Sequence, residues 1–116
     1  MKLSIIIVLL TRYLMEGIQA RYGFNFERKP NYDIYLTPTA EHKYTLLWMH
    51  GLGDSAEGFL DFFYSPKSVV PNANTKVILL NAPKQPVTCN GGYAMNSWYD
   101  ILELRGPNKK YDEASV

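Results

Sequence analysis

The clearest indication of the fold is the segment YTLLWMHGLGDSAEGFLDFF, residues Tyr44–Phe63. It starts as a nearly continuous apolar run and passes through a turn that contains two glycines. After the turn, apolar residues recur at the spacing i, i+3, i+4 and i+7 of an amphipathic helix, at Ala56, Phe59, Leu60 and Phe63. Asp54 followed three residues later by Glu57 predicts a capping box at the start of that helix. The stretch therefore predicts a buried strand, a tight turn and a helix.

The segments around this stretch continue the pattern. KVILLNAP, residues 76–83, is a second apolar run bounded by turn residues, and both runs predict strands covered on two faces. YDIYLTP, residues 32–38, alternates and stops at a proline, which predicts a half-buried edge strand. Residues 82–111 are rich in proline, glycine and asparagine and predict a long loop, after which Asp112 and Glu113 mark a helix start. The predicted fold class is α/β, with a strand–helix–strand unit.

The composition limits the classes of function. The chain has 116 residues with 47% hydrophobic residues, which is enough for one domain with a core. Twelve Lys and Arg residues against eleven Asp and Glu residues leave a formal charge of +1, so we expect no nucleic-acid partner. The one cysteine excludes an intrachain disulfide, and with two histidines it forms no metal-ligand spacing. We expect no metal and no cofactor.

The first 20 residues, MKLSIIIVLLTRYLMEGIQA, have features of a secretory signal. Lys2 precedes a short apolar run, and Ala20 is a small residue of the kind found before a cleavage site. Arg12 and Glu16 count against a signal, and the alternative is an N-terminal extension that packs on the domain. The apolar run is too short for a transmembrane anchor, which needs about 20 residues. We therefore separate residues 1–20 from a domain over residues 21–116.

The glycine turn allows a dinucleotide-binding interpretation. Gly51, Gly53 and Ala56 fit the fingerprint G-x-G-x-x-A after a strand and at a helix start. However, no acidic residue follows the next strand to hold a ribose, and the Asp54 carboxylate would repel a bound pyrophosphate. A dinucleotide-binding module remains a remote alternative.

The same turn also fits an oxyanion loop. In α/β-hydrolases, the turn after an early strand supplies a backbone N–H that stabilises the negatively charged oxygen of the tetrahedral intermediate. In the sequence HGLGD this donor would be the amide of Leu52. The flanking glycines let the backbone approach a substrate closely, and His50 would fix the turn as a structural residue.

Three segments in this order resemble the acyl-protein thioesterase and lysophospholipase family, also called the phospholipase/carboxylesterase family of serine hydrolases. They are LLWMHGLGDSAEGF, KVILLNAPKQPVT and YAMNSWYDI, and the resemblance covers residues 44–116. It implies that residues 21–116 form the N-terminal half of a doubly wound α/β-hydrolase sheet, which is therefore incomplete. It also implies hydrolysis of fatty-acyl thioesters on acylated proteins or of lysophospholipid esters. The implied localisation is cytoplasmic, or secreted if residues 1–20 are cleaved.

The resemblance also implies roles for individual residues. Leu52 would be the oxyanion donor, and two loops would shape the substrate site, formed by His50, Gly51, Gly53 and Asp54 and by Ser97 and Trp98. Family members commonly have proline before the Ser-Trp pair, where this chain has Asn96. Ser97 itself is interpreted as a loop serine that hydrogen-bonds its own backbone rather than as a nucleophile.

The chain carries no catalytic triad. An α/β-hydrolase serine lies in G-x-S-x-G and is followed by the acid and then the histidine, but none of the six serines has that setting and no histidine follows His50. Family members are about twice as long, so we expect a fragment of a serine hydrolase that is inactive alone. The alternative is a genuinely short, non-catalytic module that binds an acyl chain or a protein.

Overall fold

The computed structural model describes residues 23–65, 73–104 and 110–116, so the signal-like segment 1–20 lies outside the described residues. The regular structure of the described chain is mostly strand, with short helical turns between strands. The strands are β1 (Phe24–Arg28), β2 (Ile34–Pro38), β3 (Tyr44–Met49), β4 (Thr75–Leu80), β5 (Lys84–Val87), β6 (Tyr93–Asn96), β7 (Ile101–Glu103) and β8 (Lys110–Tyr111). One α-helix, α1 (Leu60–Phe63), continues a 3-10 turn over Glu57–Phe59, and two more 3-10 turns span Thr88–Asn90 and Glu113–Ser115.

The main sheet has four strands in the order β1-β2-β4-β3. β3 and β4 run parallel with α1 between them in the chain, which confirms the predicted strand–helix–strand unit. The other neighbours are antiparallel. The prediction that residues 32–38 form an edge strand is wrong, because β1 pairs along the outer side of β2. Pro38 is tolerated there because it is the last residue of β2, at the end of the ladder opposite Phe24.

The core lies on one face of this sheet. Its fully buried residues alternate along the strands and meet residues from the turn and from α1: Phe24, Ile34, Leu36, Ala56, Phe63, Val77 and Leu79. Phe59 and Leu60 pack partly against this cluster, so the predicted helical spacing correctly identifies the buried side. Burial of a phenylalanine such as Phe63, which is 2% exposed, stabilises the fold by about 1.5–3 kcal/mol.

The predicted capping box does not form. Ser55, not Asp54, accepts a hydrogen bond from the backbone of the first turn, with its Oγ 3.1 Å from the Gly58 N. The Asp54 carboxylate accepts instead from the Ser55 N–H at 2.8 Å. Glu57 faces β1, where it forms an exposed ion pair with Arg28 at 2.6 Å. Ser55 lies three residues before Gly58, the spacing at which a side-chain oxygen can accept from a backbone N–H at a helix start.

The opposite face of β3 is open. Leu47 and Met49 are 60% and 58% exposed, so the prediction that this strand is covered on two faces is wrong for the described residues. Within residues 23–65, 73–104 and 110–116, no strand pairs with the outer edge of β3. The side chains that the apolar run contributes to that face therefore meet solvent.

The predicted long loop contains two small hairpins. β5 and β6 pair in antiparallel register, and their connection closes through Gly91 and Gly92 at φ +67° and +78°, which glycine adopts without a steric penalty. β7 and β8 form the second hairpin. The predicted helix start after it is a single 3-10 turn, in which the Asp112 carboxylate accepts from the Ala114 N–H at 3.0 Å.

Candidate functional site

The turn after β3 is built around the buried ring of His50, which is 3% exposed. The Ala82 N–H donates to His50 Nε2 at 2.9 Å, and His50 Nδ1 lies 2.7 Å from the Gly51 carbonyl oxygen. Because a backbone N–H can only donate, Nε2 must be the acceptor, and the proton is assigned to Nδ1. Both ring nitrogens are thus engaged with backbone groups, which agrees with the structural role expected for this histidine.

A second segment, Asn96–Trp98, holds the turn from the other side. The Trp98 Nε1–H donates to the His50 carbonyl at 2.8 Å, and the two rings contact each other at a tilt of 36°, with centroids 5.2 Å apart. The Asn96 carbonyl accepts from the Gly53 N–H at 2.8 Å, and its Nδ2 donates to the Asp54 carbonyl at 2.8 Å. The structure therefore brings together the two predicted substrate loops, which are more than 40 residues apart in the sequence.

The Leu52 amide lies in the centre of this braced turn. Its neighbours are bonded, since the Gly53 N–H donates to Asn96 and the Asp54 N–H donates to the Gly51 carbonyl at 3.2 Å. In the described part of the chain, the Leu52 N–H donates to no acceptor. Gly53 has φ +78°, so a glycine is required where the chain leaves the Leu52 peptide. The arrangement leaves a backbone donor available at the carboxyl end of a parallel strand.

Three N–H groups at the start of the helical segment donate to protein acceptors. The Ala56 N–H donates to Asn81 Oδ1 at 3.1 Å, and the Ser55 and Gly58 N–H groups donate to Asp54 and Ser55. Asn81 is in turn fixed by its own N–H, which donates to the carboxylate of the buried Asp33 at 2.7 Å. These contacts tie the helical segment to the end of β4 and the start of β2.

The comparisons with known proteins identify the family. The Phospholipase/Carboxylesterase family profile matches residues 32–116. The chain belongs to the phospholipase/carboxylesterase family. Its curated relatives include acyl-protein thioesterase 1 of Yarrowia lipolytica, 38% identical over 77 residues, with 66% of this chain and 34% of the relative covered. Acyl-protein thioesterase 1 of Candida albicans is 42% identical over 72 residues, with 60% of this chain and 31% of the relative covered.

A solved structure of the family has the same fold over the matched region. The crystal structure of Zea mays acyl-protein thioesterase 2 superposes with a TM-score of 0.55 and 31% identity, over 65% of this chain and 31% of that chain. The mixed sheet is thus an incomplete α/β-hydrolase fold. The chain spans about a third of the length of the curated relatives it matches.

The second loop of this phospholipase/carboxylesterase chain, Ser97–Asp100, is fixed at both ends. Ser97 is 2% exposed, and its hydroxyl donates to the Tyr99 carbonyl at 2.5 Å, which confirms the interpretation as a backbone-bonding serine. The Asp100 carboxylate accepts from the Thr88 N–H at 2.8 Å and the Thr88 hydroxyl at 2.7 Å. The backbone bond, and after it the hydroxyl bond, lowers the pKa of the Asp100 carboxyl.

A cleft of about 400 Å³ opens at the same edge of the sheet as the turn. It is lined by Arg28, Tyr32, Ser55, Glu57, Asn81 and Asn96. Leu52 is not among its lining residues. Within the residues described, no three His, Cys, Asp or Glu side chains are grouped to hold a metal ion. No helix in the described ranges is long and apolar enough to cross a membrane.

Two asparagines that support the site were not predicted from the sequence. Asn96 stands where the family commonly has proline, and Asn81 lies in the apolar run of residues 76–83, but neither pattern indicates a contact with the turn. Each makes contacts with residues at least 25 positions away, which no local pattern encodes. The sequence does contain one indication of these contacts. An asparagine directly after a strand or at its end has an amide that can reach a neighbouring turn.

Proposed function

We propose that this chain supplies the oxyanion turn of a serine hydrolase domain that cleaves fatty-acyl thioesters on proteins or acyl esters of lysophospholipids. The observation that carries the proposal is the Leu52 N–H, which has no acceptor among the described residues while the groups on either side are fixed. A donor held in this way stabilises a developing oxyanion without reorganising during the reaction.

The chemistry divides between this chain and the rest of the family domain. A serine would attack the acyl carbonyl, and a histidine would take its proton and later return it to the leaving group. These groups, with the acid that orients the histidine, would lie in the part of the family domain that this chain does not span. This chain would contribute the Leu52 donor, and the family's second donor follows the nucleophile. His50, Gly51, Gly53 and Asp54 shape the turn, and Ser97 and Trp98 support it.

The expected activity follows from this division. The 116-residue chain alone should hydrolyse neither thioesters nor esters, and a serine-directed fluorophosphonate should leave it unlabelled. Stoichiometric labelling of the chain would contradict the proposal.

A chimera tests the donor itself. Residues 23–116 would be joined to the portion of maize acyl-protein thioesterase 2 that follows its matched segment, and hydrolysis of a palmitoyl thioester would be measured. Leu52→Pro removes the N–H, whereas Leu52→Ala keeps it. We expect the proline variant to lose about 10²–10³ in kcat and the alanine variant to stay close to the parent chimera. Equal activity of the two variants, both folded by circular dichroism, would refute the role of Leu52.

The alternative function is a non-catalytic module that binds an acyl chain or a protein. The exposed Leu47 and Met49 on β3 favour it, because uncovered apolar residues on a sheet attract apolar partners. A fluorescent fatty acid that binds the chain and is released by Leu47→Glu would support this module. The dinucleotide-binding alternative has weaker support, because the N–H groups of Gly53, Ser55 and Ala56 already donate to protein acceptors.

A further inference from the structure

Asn96 contacts the oxyanion turn through both its backbone and its side chain. Its carbonyl accepts from the Gly53 N–H, and its Nδ2 donates to the Asp54 carbonyl, each at 2.8 Å. Both bonded groups belong to the two residues that directly follow Leu52. We propose that Asn96 is a positioning residue that fixes the direction of the Leu52 N–H, an assignment that rests on the proposed function.

The backbone contact is possible because β5 does not use the Asn96 carbonyl. The Ser97 N–H donates to the Pro83 carbonyl at 3.0 Å, so residues 83 and 97 form a hydrogen-bonded pair of the hairpin. Bonded and non-bonded pairs alternate in an antiparallel ladder. The next pair, Lys84 and Asn96, is therefore non-bonded, and the N–H and carbonyl of Asn96 face away from β5. The carbonyl is free to accept from Gly53.

The side-chain contact is specific to asparagine at this position. The family commonly has a proline there, which would supply the same carbonyl but has no side-chain donor. The missing N–H of a proline would cost the hairpin nothing, because the Asn96 N–H faces away from β5. Asn96 thus adds one hydrogen bond to the turn that the family's proline cannot make.

That additional bond acts on a turn that contains two glycines. Leu52 lies between Gly51 and Gly53, and glycines let a peptide plane rotate at little steric cost. The Leu52 N–H belongs to the Gly51–Leu52 peptide, whose carbonyl accepts from the Asp54 N–H at 3.2 Å. Asn96 restrains the next peptide through the Gly53 N–H, and its amide holds Asp54, which supplies the bond to the Gly51 carbonyl. Without the Asn96 amide, Asp54 would lose this restraint. The direction of the Leu52 N–H would then vary more.

Nuclear magnetic resonance of the ¹⁵N-labelled 116-residue chain tests this role without any catalysis. In the unsubstituted chain, we expect backbone order parameters of about 0.85 for Leu52 and Gly53. One Asn96 side-chain proton should exchange about five- to tenfold more slowly than that of a free amide. In Asn96→Ala and Asn96→Pro, which both lack the donor, the order parameters of Leu52 and Gly53 should fall below about 0.6. Asn25→Ala, at an exposed asparagine of β1, is the matched control and should change neither.

Unchanged order parameters in Asn96→Ala, or an equal fall in Asn25→Ala, would overturn the assignment. If the Asn96 variants lose the slowly exchanging amides of β4 and are therefore unfolded, hydrogen exchange in the unsubstituted chain tests the proposal. Fast exchange of both Asn96 side-chain protons would then exclude the bond to Asp54, and slow exchange of one would support it. Because these NMR signals do not depend on hydrolysis, they test the role of Asn96 independently of the activity of the Leu52→Pro chimera. An inactive chimera would leave them unchanged.

Discussion

Replacement of His50 by phenylalanine isolates the hydrogen bonds that hold the turn after β3. Phenylalanine keeps a ring against Trp98, at the 5.2 Å centroid distance, but has no nitrogen to accept from Ala82 or to donate to Gly51. Gly51 is exposed, so water can replace the lost donor at its carbonyl. Ala82 is 1% exposed, and its N–H would be left buried without a partner. The unpaired Ala82 N–H therefore determines how much stability the His50→Phe variant loses.

The size of the effect follows from this orphaned donor. A buried unsatisfied N–H costs about 1–3 kcal/mol, so we expect the free energy of unfolding to fall by about 2 kcal/mol in His50→Phe. With a urea dependence of about 2 kcal/mol per molar, the unfolding midpoint should drop by about 1 M. His50→Ala should cost about 1 kcal/mol more, because the ring contact with Trp98 is also lost.

The measurement is urea unfolding followed by tryptophan fluorescence, with His42→Phe as the matched control. His42 is exposed, and among the described residues its ring bonds the Thr45 hydroxyl alone, at 2.8 Å, so its replacement should change stability by less than about 0.5 kcal/mol. The slope of the free energy against urea should stay the same in all variants, since the buried surface is preserved. If His50→Phe were as stable as His42→Phe, the turn would not depend on the imidazole bonds.

Two further outcomes follow from contacts around the turn. Ser55→Ala should lower stability by about 1 kcal/mol, because the Gly58 N–H loses its acceptor. Glu57→Gln should lower it by less, because the ion pair with Arg28 is exposed. Urea unfolding that ranks the two variants in reverse would contradict the greater importance of the Ser55 bond. Thr88→Val should raise the pKa of the Asp100 carboxyl, but not fully to its ordinary value, because the Thr88 N–H remains and is the larger cause. A carboxyl whose pKa is lowered in the folded state stabilises the fold above its ordinary pKa, and this stability is lost as the pH falls through the lowered pKa. The Thr88→Val variant should therefore lose less stability in acid than the parent chain. An unchanged pKa of the Asp100 carboxyl in an NMR titration would contradict this prediction.

The sequence predicts those features whose determinants are local. The apolar run of β3, the two glycines and the helical spacing after them lie within 20 residues, and each predicted element is present. The buried side of the helical segment follows directly from the spacing of Ala56 and Phe63. The role of His50 as a structural residue was also accessible, because the His-Gly pair adjoins the turn that it fixes.

Features that depend on pairing between distant segments could not be read from the sequence. Whether β2 is an edge strand depends on β1, and the apolar–polar alternation of its residues FNFER does not indicate which strand it pairs with. The position of the cap depends on the direction in which the backbone leaves the turn, and Asp54 and Ser55 both offer an oxygen acceptor. The importance of Asn96 depends on a contact across 42 residues. In each case, the residue types allow more than one arrangement, and tertiary contacts select one.

The turn after β3 and the open face of β3 differ in how far this chain satisfies them. Among the described residues, the hydrogen bonds that brace the turn have both partners in the range 50–98. The turn can therefore be held by residues of this chain. Leu47 and Met49, by contrast, have no cover among the described residues and would gain it only from added chain or a partner. Completion of the domain should thus bury these two side chains while it leaves the hydrogen bonds around Leu52 unchanged.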